Sequence, residues 1–81
     1  MATNYDHYAA ANQLADRLDL EGHNEWASKI RNAMAEGATG TEIFMRLRWQ
    51  LTQLRDRQAW LSKTSREQLE ELLTELEKSL A

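Results

Sequence analysis

The chain lacks most of the residues from which β-sheets are built, and this limits it to a helical fold. It contains no valine, two isoleucines and no proline. Leucine, alanine, glutamate, glutamine and arginine dominate instead, and all of them favour the α-helix, whereas the strand-forming residues are too scarce for a sheet. A chain of 81 residues has room for one domain. The sequence therefore predicts a single helical domain over residues 1–81.

Hydrophobic periodicity and helix-stop signals divide the chain into four predicted helices. We expect them at about residues 4–19, 24–36, 40–58 and 65–80. Four short helices joined by tight connections are typical of a small bundle. The predicted fold class is therefore all-α, a small bundle of four helices.

Capping residues set these boundaries. Asn4 can cap the first helix because its side chain can accept a hydrogen bond from a free backbone amide. Gly22 and Gly37 are expected to end the first and second helices. Two pairs with the spacing of a capping box mark the starts of the third and fourth helices; they are Thr39 with Glu42 and Thr64 with Glu67.

Three of the predicted helices have one apolar stripe each, which we expect to face the core. In the first helix it consists of Tyr8, Ala11, Leu14, Ala15 and Leu18. In the second it consists of Trp26, Ile30, Ala33 and Met34. In the fourth it consists of Leu69, Leu72, Leu73, Leu76 and Leu80, and glutamates lie off the stripe on an acidic, solvated side.

The third predicted helix has two apolar faces separated by arginines. One face consists of Ile43, Phe44, Leu47, Leu51 and Leu54. The nearly opposite face consists of Met45, Trp49 and Thr52, joined by Trp60 if the helix continues that far. The borders between the faces consist of Arg46 and Arg57 on one side and Arg48 and Arg55 on the other.

Two interpretations of this pattern are open. A central helix would pack its first face on helices one and two and its second face on helix four. Alternatively, the second face stays partly exposed as a binding surface, since Trp, Met and Arg are enriched in protein interfaces. We expect an intermediate arrangement, in which the Trp49 indole lies partly buried between helices three and four with one edge accessible to a partner.

Charge and composition exclude several classes of function. The net charge of -3 and the pI near 5.3 disfavour a general attraction to nucleic acid or to an anionic membrane. No apolar run is long enough to span a bilayer, and the first residues do not resemble a signal peptide. There is no cysteine for a disulfide or a thiolate metal site. The expected localisation is cytoplasmic.

The sequence contains no recognisable catalytic or metal-binding motif. His7 shares the core-facing side of the first helix and is expected to be a half-buried, hydrogen-bonded histidine. His23 lies between Glu21 and Glu25, but this spacing matches no familiar metal site, and a role near the helix start is simpler. No serine lies in a nucleophile motif. We therefore predict no enzymatic activity, no cofactor and no metal.

A helix-turn-helix over residues 29–48 is an alternative interpretation. Ala33, Gly37 and Ile43 have its A-x3-G-x5-I spacing, in which the small residues allow the two helices to cross closely. The residues that would then approach DNA are Thr39, Thr41, Arg46 and Arg48. This alternative requires a basic surface with Trp49 buried behind it, but the acidic domain disfavours it.

The segment E-W-x3-I-x2-A-M-x2-G-A-T-G-T-E-I-F-M-x-L-R-W-x-L resembles small helical bacterial proteins that are encoded beside polymorphic toxins and are presumed to be immunity proteins. The resemblance covers residues 20–54. It implies a stoichiometric inhibitor that binds one toxin domain and performs no chemistry. The partner-binding candidates are Arg46, Arg48, Trp49, Trp60, Glu70 and Glu71. A third class of function, beside protein binding and DNA binding, is a structural homo-oligomer that buries Met45, Trp49 and Trp60 against a copy of itself.

Overall fold

Four α-helices make up most of the computed structural model, which describes residues 5–57 and 61–81. They are α1 (His7–Leu20), α2 (Asn24–Glu36), α3 (Gly40–Arg57) and α4 (Lys63–Leu80). No strand occurs in the described residues, and the predicted all-α bundle of four helices is confirmed. In the same part of the chain, no helix combines the length and the hydropathy that a membrane crossing requires.

The first helix begins later than the sequence predicts. Asp6 is its N-cap, with extended backbone angles, and its Oδ1 accepts a hydrogen bond of 3.0 Å from the amide of Ala9. The predicted cap, Asn4, lies outside the described residues. Asp and Asn cap helices about equally well, so cap preference alone does not choose between these positions.

Glycines end α1 and α2 by different means. Gly22 follows α1 with a φ of 86°, the left-handed conformation that favours glycine. Gly37 follows α2 in an extended conformation, so it ends the helix without a left-handed turn. The space around Gly37 is what requires glycine there, since an added Cβ would collide with Ile43.

The third helix starts at the predicted capping residues. The Oγ1 of Thr39 accepts a hydrogen bond of 3.1 Å from the amide of Glu42. The Glu42 carboxylate reaches back to the amide of Ala38 at 3.4 Å, one residue before the amide that a capping box uses. The helix extends to Arg57, the last described residue before 58–60. Its predicted end at about residue 58 therefore lies outside the described residues.

The predicted start of the fourth helix is wrong by two residues. Ser62 is the N-cap of α4, and its Oγ accepts a hydrogen bond of 3.1 Å from the amide of Ser65. Thr64 therefore lies inside the helix. The Ser62 hydroxyl also donates a hydrogen bond to the carboxylate of Glu21, the residue that follows α1. Local sequence does not reveal this contact.

The helices form a ring around one leucine-rich core. Among the described residues, α1 and α3 each contact α2 and α4, while α1 lies diagonally opposite α3. The buried apolar side chains are Ala11, Leu14, Ala15, Leu18, Ala27, Ile30, Ala33, Leu47, Leu51, Leu54, Leu61, Leu69, Leu72, Leu73 and Leu76. Most predicted stripe residues are among them. Tyr8 is the clearest exception at 39% exposure.

Only one of the two apolar faces of α3 is buried. Leu47, Leu51 and Leu54 are fully buried, whereas Met45 is 51% exposed and Trp49 is 61% exposed. The interpretation of α3 as a central helix covered on both faces is therefore wrong. Each helix of a four-membered ring has two neighbours, and the side of α3 that carries Trp49 points away from the core.

Candidate functional site

An open groove lies on the outer surface between α2 and α3. Its volume is about 530 Å³, within the range of about 300–1,000 Å³ that is usual for ligand sites. We call it the α2–α3 groove. The residues that line it are Lys29, Asn32, Ala33, Glu36, Glu42, Met45, Arg46, Trp49 and Gln50.

The sequence around the turn between α2 and α3 explains the shape of this groove. Ala33, a small side chain that is 4% exposed, lies at its base. Gly37 has no side chain, and this lets the backbone of Ile43 approach it closely at the turn. Farther from the core, the longer side chains of Lys29 and Glu36 line the α2 side. Small residues below and long residues above leave a concave surface.

Trp49 and Met45 are the large apolar side chains of the groove. They stand four residues apart on α3, so their side chains lie one above the other on the same face. Both are more than half exposed, and among the described residues the other large apolar side chain with more than half of its surface exposed is Leu20. The expectation that Trp49 lies between α3 and α4 is wrong, because the groove that it lines is formed with α2.

Arg46 stands between two carboxylates of the groove. Its guanidinium nitrogens lie 3.9 Å from Glu36 Oε1 and 3.6 Å from Glu42 Oε1. These distances are ion pairs but exceed the range of about 2.7–2.9 Å for charge-assisted hydrogen bonds. Exposed pairs of this kind contribute about 0–1 kcal/mol to stability. The guanidinium is therefore oriented by its neighbours and keeps its hydrogen-bond donors available.

Arg48 lies on the other border of α3 and is exposed. Its backbone oxygen accepts a hydrogen bond of 2.8 Å from Thr52 Oγ1. Its guanidinium forms no ion pair with any described residue. The residue that precedes Trp49 is therefore an exposed cation without an ion pair among the described residues.

The structure does not bring the acidic candidates to this groove. Glu70 and Glu71 are exposed on α4, a helix that contacts α1 and α3 and not α2 within the described residues. Glu71 lies near Tyr5, whose pKa is raised by burial first and then by Glu71 and Glu75. Trp60 lies outside the described residues. The acidic side of α4 and the α2–α3 groove are separate surfaces.

The helix-turn-helix alternative matches the structure in one respect and differs from it in another. Ala33 is buried and Gly37 contacts Ile43 closely, as its A-x3-G-x5-I spacing requires. The expectation that Trp49 is buried behind a basic surface is wrong, since the side chain is 61% exposed. Arg46, which lines the groove with Trp49, is also flanked by carboxylates.

The two histidines have structural environments. His7 is half-buried, as expected, and its Nε2 lies within hydrogen-bonding distance of the Glu75 carbonyl oxygen (3.3 Å) and the Ser79 hydroxyl (3.1 Å). Its ring packs against Phe44 with 4.4 Å between the centroids. His23 is the residue before α2. In the described ranges, no three His, Cys, Asp or Glu side chains cluster as a metal site would require.

Sequence reasoning missed the α2 side of the groove. Lys29, Asn32 and Glu36 recur at helical spacing beside the apolar stripe of α2, which is a signal for one polar side of a helix. That signal does not reveal which neighbouring helix meets this side.

Searches with protein-family models, among curated proteins and among solved structures found no match to this chain.

Proposed function

We propose that this chain is a non-enzymatic protein-binding module of the immunity or antitoxin type, which binds and neutralises a cognate bacterial toxin. The α2–α3 groove is the surface that we assign to this binding. The single observation that carries the proposal is the 61% exposure of Trp49 beside Met45 in an open groove. The resemblance of residues 20–54 to immunity-type proteins supplies the class of partner.

The energetics of an exposed indole support a binding role. Tryptophan has one of the largest apolar surfaces of any residue, and removing apolar surface from water contributes about 25 cal/mol per Å². Tryptophan and arginine are also enriched among the residues that contribute most to protein interfaces. The groove joins Trp49 and Met45 to Arg46. A partner that covers this surface would gain both apolar burial and hydrogen bonds.

A neutralising protein needs surface complementarity and no chemistry of its own. It acts by occupying the active surface of its target in a one-to-one complex. The domain's small size is sufficient for this, because a standard protein interface buries only about 800 Å² on each partner. The total accessible surface of the described structure is 5077 Å². An interface of that size is therefore a realistic fraction of the molecule.

Isothermal titration against the product of the neighbouring gene, which this proposal expects to be the toxin domain, tests the proposal. We expect one-to-one binding, and we expect Trp49→Ala to raise the Kd by about 30-fold or more, the equivalent of about 2 kcal/mol at an interface centre. Leu20→Ala is the matched control, since Leu20 is 83% exposed at the end of α1 and does not line the groove. Absence of binding at micromolar concentration would refute the toxin pairing.

Duplex DNA is the second candidate partner, and the close packing of Gly37 on Ile43 favours it. This reading would assign residues 29–48 to a helix-turn-helix. It predicts association with duplex DNA that weakens steeply as salt rises, because released counterions drive such binding. A gel shift at low salt without retardation would end this candidate.

A further inference from the structure

The charge of α3 differs from that of the rest of the chain. This helix carries four arginines against one glutamate and one aspartate, a net charge of +2, in a chain whose net charge is -3. The exposed side that carries Trp49 therefore belongs to a locally basic helix in an acidic protein. A partner with the opposite charge would be attracted to this helix and repelled by the acidic α4.

Arg31 differs in its pairing from the two arginines beside Trp49. Arg31 is structural, because its guanidinium donates a hydrogen bond of 2.7 Å to Asp16 and forms an ion pair of 2.7 Å with Asp19. Arg46 has only the longer contacts of 3.6 and 3.9 Å, and Arg48 has no ion pair among the described residues. The two arginines next to Trp49 therefore keep donors that a carboxylate could accept.

The spacing of the apolar residues fits a helical partner. Met45 and Trp49 lie one turn apart along the groove wall, and an amphipathic helix places its own apolar side chains at the same interval. Nucleic acid fits this surface less well. The Glu36 and Glu42 carboxylates beside Arg46 would face its closely spaced phosphates, whereas the carboxylates of a helix can be spaced to avoid them.

We infer that the α2–α3 groove and the adjoining exposed side of α3 bind an acidic amphipathic helix, with an apolar side chain between Met45 and Trp49. Its carboxylates are directed to Arg46 in the groove and to Arg48 on the opposite border of α3. This inference rests on the proposed protein-binding function and adds the chemistry of the partner segment. Lys29 extends the same surface, since it lines the groove on the α2 side. The acidic side of α4 takes no part in this contact.

Fluorescence anisotropy with two labelled peptides tests the inference on the full chain. Both peptides are helical, about 20 residues long, and share one leucine stripe; glutamates flank the stripe in one and lysines in the other. We expect the glutamate peptide to bind about tenfold more tightly or better, and the difference to shrink as salt screens the charges. We expect Trp49→Ala to abolish the binding of both peptides.

Charge reversal locates the interaction. Arg48→Glu should weaken the glutamate peptide about tenfold and strengthen the lysine peptide. Lys63→Glu is the matched control, because it makes the same change of charge at an exposed position of α4 and should alter neither affinity. Circular dichroism checks that each variant is folded. Equal effects of the two substitutions would overturn the assignment to α3.

Other outcomes separate this inference from the proposed function. If the toxin domain binds but the lysine peptide binds better than the glutamate peptide, or neither peptide binds, the acidic-helix inference is wrong while the protein-binding function stands. If the glutamate peptide binds as expected and the toxin domain does not, the inference stands and the toxin pairing is wrong. Tighter binding of a single-stranded oligonucleotide than of either peptide would overturn the inference in favour of nucleic acid.

Discussion

The Oγ of Ser65 donates a hydrogen bond of 3.0 Å to Oε1 of Glu21, although 44 residues separate the two in the chain. The other carboxylate oxygen, Oε2, accepts a hydrogen bond of 2.8 Å from Ser62, the N-cap of α4. Ser65 is fully buried. One carboxylate thus satisfies two hydroxyls and joins the end of α1 to the start of α4. Its negative charge also lies near the positive end of the α4 dipole.

Glu21→Ala should lower the free energy of unfolding by about 2 kcal/mol. The substitution leaves the buried Ser65 hydroxyl without its acceptor, which costs about 1–3 kcal/mol, and it also removes the hydrogen bond from the half-buried Ser62. Urea unfolding followed by circular dichroism measures the loss. Glu25→Ala is the control, since that exposed carboxylate forms only a 3.9 Å pair with Lys29 and should change stability by about 0.5 kcal/mol or less. Equal losses from the two variants would contradict a joining role for Glu21.

Gly37→Ala should destabilise the fold by about 2 kcal/mol, because overfilling a packed site typically costs about 1–3 kcal/mol. The new Cβ would meet the Ile43 side chain and would lie 3.0 Å from both the Cα and the amide nitrogen of Ile43. Backbone atoms cannot move aside as a flexible side chain can. Thermal unfolding measures the effect.

Gly40→Ala is the control for this prediction. Its nearest neighbour would be the Tyr8 hydroxyl at 3.8 Å, an ordinary contact distance, and Gly40 is the first residue of α3. Replacing glycine where the backbone conformation suits alanine stabilises proteins by about 0.4–1 kcal/mol. If both substitutions leave the melting temperature unchanged or raise it, the close contact between α2's end and Ile43 is not as described.

Trp49→Ala should leave the fold nearly as stable as the wild type. The side chain is 61% exposed, and surface substitutions usually change stability by about 0.5 kcal/mol or less. Leu51→Ala, two residues along the same helix, should cost about 2–5 kcal/mol because Leu51 is fully buried and leaves a cavity. Chemical unfolding of both variants measures the contrast. A loss above about 2 kcal/mol for Trp49→Ala would show that the indole belongs to the core.

Acid should weaken the contact between α1 and α2 through Asp19. The pKa of Asp19 is lowered from its ordinary value of 3.8, first by the hydrogen bond from Asn24 and then by that from Arg31. Because the pKa in the folded state is depressed, the contribution to stability is present above the unfolded value. It is lost as the pH falls below 3.8 through the folded pKa.

Carbon-detected NMR titration of the Asp19 carboxyl should give a midpoint below 3.8. Asp19→Asn should lower stability at neutral pH and flatten the dependence of stability on pH in the acid range. Arg31→Gln should move the Asp19 midpoint upward, since it removes one of the two stabilising donors. A midpoint at or above 3.8 in the wild type would contradict the described contact.

The sequence by itself determined the fold class and the extent of most helices. Helix α2 spans Asn24–Glu36 as predicted, because its apolar stripe and the glycines beyond its ends are local signals. The start of α3 was predictable for the same reason, since Thr39 bonds to the amide three residues later. Hydrophobic periodicity and caps act within about one or two turns, so they can be read without knowing the neighbours.

Local signals failed where a cap depends on the tertiary structure. Thr64 and Glu67 have a capping-box spacing, yet α4 begins two residues earlier because Ser62 caps it. The hydroxyl of Ser62 also bonds to Glu21, 41 residues away in the chain. The sequence offers several adjacent hydroxyls as caps, and the contact with the end of α1 favours one of them.

Only the tertiary structure decided which apolar face of α3 is buried and therefore where the candidate site lies. The pattern presents Leu51 on one face and Trp49 on the other, and both are apolar enough to be core. The arrangement in a ring gives α3 two neighbours, and the leucine face turns toward the core. Burial is decided by all four helices together, because the free energy gained depends on the total apolar surface removed from water. The groove beside Trp49 results from that choice, since it requires α2 to meet the side of α3 that carries Arg46.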